Sequence, residues 1–133
     1  MEAPKFRAWK KAGKELGRVG QITFELDGSV SCVLFKGKFL DFNVPINEII
    51  LMQSTGLKDK NGQEIFEGDV VRQVRTQPTT ENEIIIGVVT MLEGAWLIMN
   101  DGEQLASYLW SETDINEIIG NIYENSELLE EKK

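Results

Sequence analysis

The sequence predicts a mainly β protein built as two small β subdomains, and three observations carry that expectation. Glycines and other turn formers recur about every eight to twelve residues, the spacing of an all-β barrel or sandwich. The stretches between them are short and rich in Val, Ile, Phe and Leu, side chains that suit a pleated, half-buried surface. Asp27-Gly28 and Glu93-Gly94 each separate two such stretches, as the tip of a β-hairpin does.

The elements follow in chain order. Residues 21–26 and 29–35 form the first expected hairpin. A two-residue Asp27-Gly28 turn would pair Leu26 with Ser29 and split the apolar side chains between two faces. An odd-length loop centred on Gly28 pairs Leu26 with Val30, Phe24 with Cys32 and Ile22 with Leu34, gathering all six on one face, and that register is preferred. Turn chemistry disagrees mildly, because the last position of a three-residue loop favours a left-handed residue and here it would be Ser29. Phe39, Leu40 and Phe42 come next, and Pro45 starts or borders a strand over residues 48–53. Residues 55–62 are expected as a sharp break, with a subdomain boundary near Ser54.

The second half gives strands over residues 70–74, 84–92, 95–99, 105–110 and 115–123, with a polar loop over 75–82. A two-residue Glu93-Gly94 turn puts Met91, Trp96, Val89 and Ile98 on one face and Leu92, Ala95, Leu97, Val88 and Met99 on the other. Both faces are apolar, so this hairpin is expected to be covered on both sides or to press against another copy of the chain. Ser126 is placed to cap a short acidic helix. The expected organisation is a β subdomain with a basic arm over 1–53, an SH3-like barrel over 54–125 and an acidic tail over 126–133.

Composition removes several function classes. Apolar residues make up 41% and charged residues 27%, which places the chain among globular proteins. Apolar runs such as 49–52 and 84–86 fall well short of the roughly 18 residues of a membrane helix. Charges at Glu2, Lys5 and Arg7 stand where a secretion signal would carry its apolar core, so the cytoplasm is expected. Cys32 is the one cysteine and there is no histidine, which leaves neither an internal disulfide nor a Cys/His metal site. The segment 59–64 has its glycine at the fourth position rather than the sixth of a calcium loop, and Gly37-Lys38 lacks the spacing of a phosphate loop. No cofactor is expected, and no pair of carboxylates stands out for acid–base chemistry, so the chain is read as a non-enzyme.

Charge supplies the candidate binding residues. The net charge is −8, yet residues 1–18 hold six of the fourteen Lys and Arg. Arg7, Trp9, Lys10, Lys11 and Lys14 interleave bases with an aromatic, a pattern that can track a nucleic-acid backbone, although the overall charge opposes it. The plainer reading packs Trp9 into the core and turns the lysines to water. Asp59, Asn61, Glu67 and Asp69 lie among Gly56, Gly62 and Gly68, either as a framework of turns or as a recognition surface.

Leu51-Met-Gln-Ser-Thr-Gly-Leu-Lys-Asp-Lys-Asn-Gly-Gln-Glu-Ile-Phe-Glu-Gly-Asp-Val-Val71, with Phe6-Arg-Ala-Trp9 before it and Ile118-Ile-Gly-Asn-Ile-Tyr-Glu-Asn125 after it, resembles the YopX family. The resemblance covers nearly the whole chain in that order. It implies a β-rich protein of phages and prophages, chiefly of Gram-positive bacteria, that self-associates and has no established activity. Phe66 stands where the family often has tyrosine, and Ser126 where proline often follows the asparagine. The expected partners are further copies of the chain and a phage or host protein, with nucleic acid as the rival and no membrane.

Overall fold

The computed structural model describes residues 5–75, 83–100, 105–110 and 114–124. Its strands are β1 (Phe6–Lys10), β2 (Glu15–Phe24), β3 (Val30–Lys36), β4 (Asp41–Pro45), β5 (Ile49–Lys58), β6 (Glu64–Phe66), β7 (Asp69–Arg75), β8 (Ile84–Leu92), β9 (Ala95–Asn100), β10 (Leu105–Tyr108) and β11 (Asp114–Asn121). A single 3-10 turn, Ile46–Glu48, is the one helical element among the described residues. The protein is therefore mainly β, in two antiparallel sheets of order β4-β3-β2-β1-β5-β6 and β10-β9-β8-β7-β11. The chain divides into two compact units, 1–54 and 55–133.

The first unit packs Ala8, Val33, Phe35, Val44 and Ile49 into a core, with Val19, Ile22, Val30, Ile46 and Leu51 against it. Its β2–β3 hairpin corrects the expected register. The Glu25 amide donates to the Ser29 carbonyl at 2.8 Å, so the loop is Leu26-Asp27-Gly28, one residue earlier than expected. Gly28 has φ +91°, which puts glycine at the left-handed third position that such a loop demands. Phe24 then pairs with Val30 instead of Cys32, and Leu26 is wholly exposed.

Packing is not sacrificed to the turn, because two bulges restore it. Register shifts leave Ser31 and Gly20 as extra residues on β3 and β2. Simple alternation would send Val30 to the face opposite Val33, and Val19 to the face opposite Ile22; one extra residue on each strand brings them together. All four side chains accordingly meet the same core. Gly17 is needed for a separate reason: a Cβ there would lie 2.7 Å from both the Lys36 carbonyl and the Phe35 ring.

Three further expectations change in this region. Phe6–Lys10 is the sheet's β1, paired with both β2 and β5, and not an appended basic arm. Arg7, Ala8 and Trp9 are all buried, so both faces of β1 are covered. β5 continues through Gly56 to Lys58, leaving the expected break confined to residues 59–63. Pro45 closes β4, an edge strand where a missing amide is tolerated, and the 3-10 turn separates it from β5.

The second unit has its own core of Ile65, Val71, Ile85, Val89, Ile98 and Leu109, flanked by Leu57, Trp96 and Ile118. The β8–β9 hairpin has the expected two-residue turn, pairing Leu92 with Ala95 and Val89 with Ile98. Glu93 at φ 51° and Gly94 at φ 83° supply the two left-handed residues of a type I′ turn. Val89 and Ile98 are buried, while Val88, Leu97 and Met99 on the other face are only half-buried.

The sheet curls, but no ladder joins β10 to β11 among the described residues, so the expected SH3-like barrel is not closed by strand pairing. Side chains bridge the gap instead. Gln73 on β7 is fully buried; its Nε2 donates to the Tyr108 carbonyl (3.1 Å) and to Asn116 Oδ1 (3.0 Å), and its Oε1 accepts from the Ser107 hydroxyl (2.8 Å). Asn116 Nδ2 reaches the Leu109 carbonyl at 2.8 Å. A β7 side chain can touch β10, three strands along the sheet order, only if the sheet rolls back on itself. The expected helix over 126–131 and most of the 75–82 loop lie outside the described residues.

Candidate partner-binding surface

The nine residues singled out in the sequence fall into two groups, one in each unit. In the second unit, Asp59 opens the turn between β5 and β6 and is buried. Its Oδ1 accepts from the amides of Asn61 (2.9 Å) and Gln63 (3.0 Å), and its Oδ2 from the amide of Ile118 on β11 (3.1 Å). Burial works to raise the pKa of this carboxyl. The amides of Ile118, Gln63 and Asn61, with the Lys60 charge, outweigh burial and hold the pKa below its ordinary value of 3.8. Asp59 thus clamps a turn to a strand, and Asn61 contributes its backbone to that clamp.

Asp69 is also buried, and its Oδ2 accepts from the Phe66 amide at 2.8 Å, tightening the β6–β7 turn that holds Glu67 and Gly68. Glu67 is half-buried in that turn. Asn121, opposite Asp69 in the ladder, accepts from the Tyr123 and Glu124 amides, both at 2.9 Å. Asp59 and Asp69 therefore serve as a framework of turns, with their carboxylates directed to backbone amides.

In the first unit, Arg7 and Trp9 are buried in β1, whereas Lys11 and Lys14 are exposed and Lys10 is half-buried. Lys11 Nζ donates to the Asn47 carbonyl at 3.3 Å. Lys14, Gly13 and Glu15 from the β1–β2 turn line one side of a cleft of about 460 Å³. Lys38, Phe39, Leu40 and Phe42, from the β3–β4 turn and edge strand β4, line the other. The two turns are tied by the Lys38 amide, which donates to Glu15 Oε2 at 2.6 Å.

The cleft combines apolar surface with positive charge. Phe39 is 89% exposed and Leu40 74% exposed. Lys10 Nζ lies 5.4 Å from the centre of the Phe42 ring, and Lys38 Nζ lies 5.9 Å from that of Phe39. Such contacts hold ammonium groups beside aromatic faces, and Lys10 Nζ also donates to the Ala12 carbonyl at 2.9 Å. Lys10 and Lys14 were read from the sequence; Lys38, Phe39, Leu40 and Phe42 were not singled out as site residues. The available signal was a pair of adjacent large apolar residues, Phe39-Leu40, directly after Gly37-Lys38, where a turn would ordinarily be polar.

Charge is also divided between the units. Residues 1–54 hold eight Lys and Arg against six Asp and Glu, while residues 55–133 hold six against sixteen. Among the described residues no group of three or more Asp, Glu or Cys side chains is arranged to hold a metal ion, and no helix is long and apolar enough to cross a membrane.

Two antiparallel β units, with buried carboxylates committed to turns and exposed aromatic residues beside lysines, define the class as a two-unit, mainly β protein. The chain belongs to the YopX protein family, whose model matches residues 5–130. Among solved structures it is similar to protein EF1440 from Enterococcus faecalis, at 28% identity and a TM-score of 0.67, covering 97% of this chain and 99% of that one. It shares its fold with protein yopX from Bacillus subtilis, at 18% identity and a TM-score of 0.62, covering 94% and 95% of the two chains. No curated protein matches it.

Proposed function

We propose that this chain is a non-enzymatic phage or prophage accessory protein that self-associates in the host cytoplasm and binds a macromolecular partner through exposed β surfaces. The observation that carries the reading is the exposed apolar surface of the first unit: Phe39, Leu40 and Phe24 are all more than half exposed, and Leu26 is wholly so. A unit of 54 residues has little apolar surface to spare, and leaving several large side chains in water is costly unless another surface covers them. The division of charge between the two units adds an electrostatic route to association between copies.

Light scattering at micromolar concentration tests the self-association. The expected result is a mass that is a multiple of the chain's and falls on dilution. A strict monomer across that range would remove the basis for an assembling module.

A further inference from the structure

We infer that the open edge of β4 and the adjoining lysine-lined cleft bind an extended acidic peptide, with an apolar residue and a carboxylate two positions apart on one face. This rests on the reading of the chain as a binding module and names the site and the chemistry of its partner.

The free edge follows from the ladder. The Gly37 amide donates to the Leu40 carbonyl at 3.0 Å, so Gly37 and Leu40 form a hydrogen-bonded pair across a two-residue turn. Antiparallel pairs alternate, so Phe35 with Phe42 and Val33 with Val44 are hydrogen-bonded, and Lys36 with Asp41 and Leu34 with Asn43 are not. The amides and carbonyls of Asp41 and Asn43 accordingly point away from β3. Among the described residues β4 is the last strand of its sheet, so those groups form one half of an unfilled ladder. Pro45, at the end of the strand, sits in a non-hydrogen-bonded position where its missing amide costs β3 nothing.

Phe42 lies between Asp41 and Asn43, with its ring 5.9 Å from Phe35 and beneath Lys10. A strand added along β4 would place one face of side chains beside Phe42, Leu40 and Phe39, with Lys10, Lys14 and Lys38 around them. In a strand, positions i and i+2 share a face, so an apolar anchor and a carboxylate at that spacing would meet the rings and the ammonium groups together. A peptide is favoured over a nucleic acid because only a peptide can pair with the backbone edge.

The test titrates the full chain into a fluorescently labelled probe, acetyl-Thr-Phe-Thr-Glu-Thr-Glu-Thr-amide, and reads anisotropy. Saturable, salt-sensitive binding is expected. It should weaken by at least about tenfold in the double variant Lys14→Glu, Lys38→Glu, as expected when charge is reversed at a contact. Asn43→Pro should weaken it similarly by removing an outward amide, while Lys58→Glu in the second unit should leave it unchanged. The same probe with lysine in place of glutamate should not bind. The inference is overturned if the probe does not bind, if neither the lysine pair nor Asn43→Pro affects binding, or if a fifteen-nucleotide oligo-dT binds more tightly through the same lysines. Absent probe binding alongside intact self-association would sink this inference alone; a monomer in light scattering would sink the proposed function.

Discussion

Replacing Asp59 with asparagine should destabilise the second unit in a way that depends on pH. Asp59 is only 7% exposed, and its carboxylate accepts from three backbone amides, at 2.9, 3.0 and 3.1 Å. Asparagine keeps one oxygen, which can hold Asn61 and Gln63, but turns its NH2 toward the Ile118 amide, so two donors face each other. Losing one charge-assisted bond and leaving a partly buried amide without an acceptor costs about 2 kcal/mol. The folded pKa of Asp59 lies below 3.8, so its stabilisation is present above the unfolded value and is lost as pH falls through the lower folded value. The deficit of Asp59→Asn should therefore be constant above about pH 5 and shrink on further acidification, since protonation costs the native protein the same anion. Urea unfolding of both proteins from pH 7 down to about pH 3 measures the difference, and amide exchange at Ile118 localises it. A deficit under about 0.5 kcal/mol at pH 7, within the range of an ordinary surface substitution, would refute the clamp. So would one that grows as pH falls.

Three other substitutions test the packing. Gly17→Ala puts a methyl carbon 2.7 Å from the Phe35 ring and the Lys36 carbonyl, and should cost about 1–3 kcal/mol in urea unfolding. Gln73→Leu leaves the Tyr108 carbonyl and Asn116 Oδ1 without this donor in a part-buried site, so a loss of about 2 kcal/mol is expected, with faster amide exchange in β10 and β11. Leu26→Ser should change stability by less than about 0.5 kcal/mol, because that side chain is wholly exposed in the observed register; a core-sized loss would restore the register in which Leu26 faces Val30.

What could be read from the sequence depended on how far apart the deciding residues are. The β8–β9 hairpin was legible because its turn, Glu93-Gly94, and its flanking strands lie within a few residues of one another, and the turn alone sets the register. The β2–β3 hairpin was misread for a reason equally local at first: Gly28 belongs at the third loop position. Its consequences are not local, since extra residues at Ser31 and Gly20 become acceptable only once Val33 and Phe35 have a core to face. The basic arm contains an inner strand because β2 and β5 both pair with Phe6–Lys10, and the β5 pairing joins residues 39 to 47 positions apart. Of the candidate site, Lys10 and Lys14 were visible as charge. Phe39 and Leu40 were given no role, because exposure is a property of the folded surface and periodicity over so few residues does not reveal it.

The fate of the polar side chains bears on where the chain can act. In the second unit the buried ones are spent on structure: Asp59 and Asp69 hold turns, Asn121 caps the turn after β11, and Gln73 with Asn116 stitches the rolled sheet. Removing any of them to serve a ligand would leave backbone amides or carbonyls without partners, at a cost of about 1–3 kcal/mol each. A binding function is better carried by groups whose engagement breaks nothing. In the first unit these are the outward amides of β4, the ammonium groups of Lys14 and Lys38, and the faces of Phe39 and Leu40, which already stand in water. Covering them would gain apolar burial and backbone hydrogen bonds without dismantling a core, which is what the proposed binding edge requires.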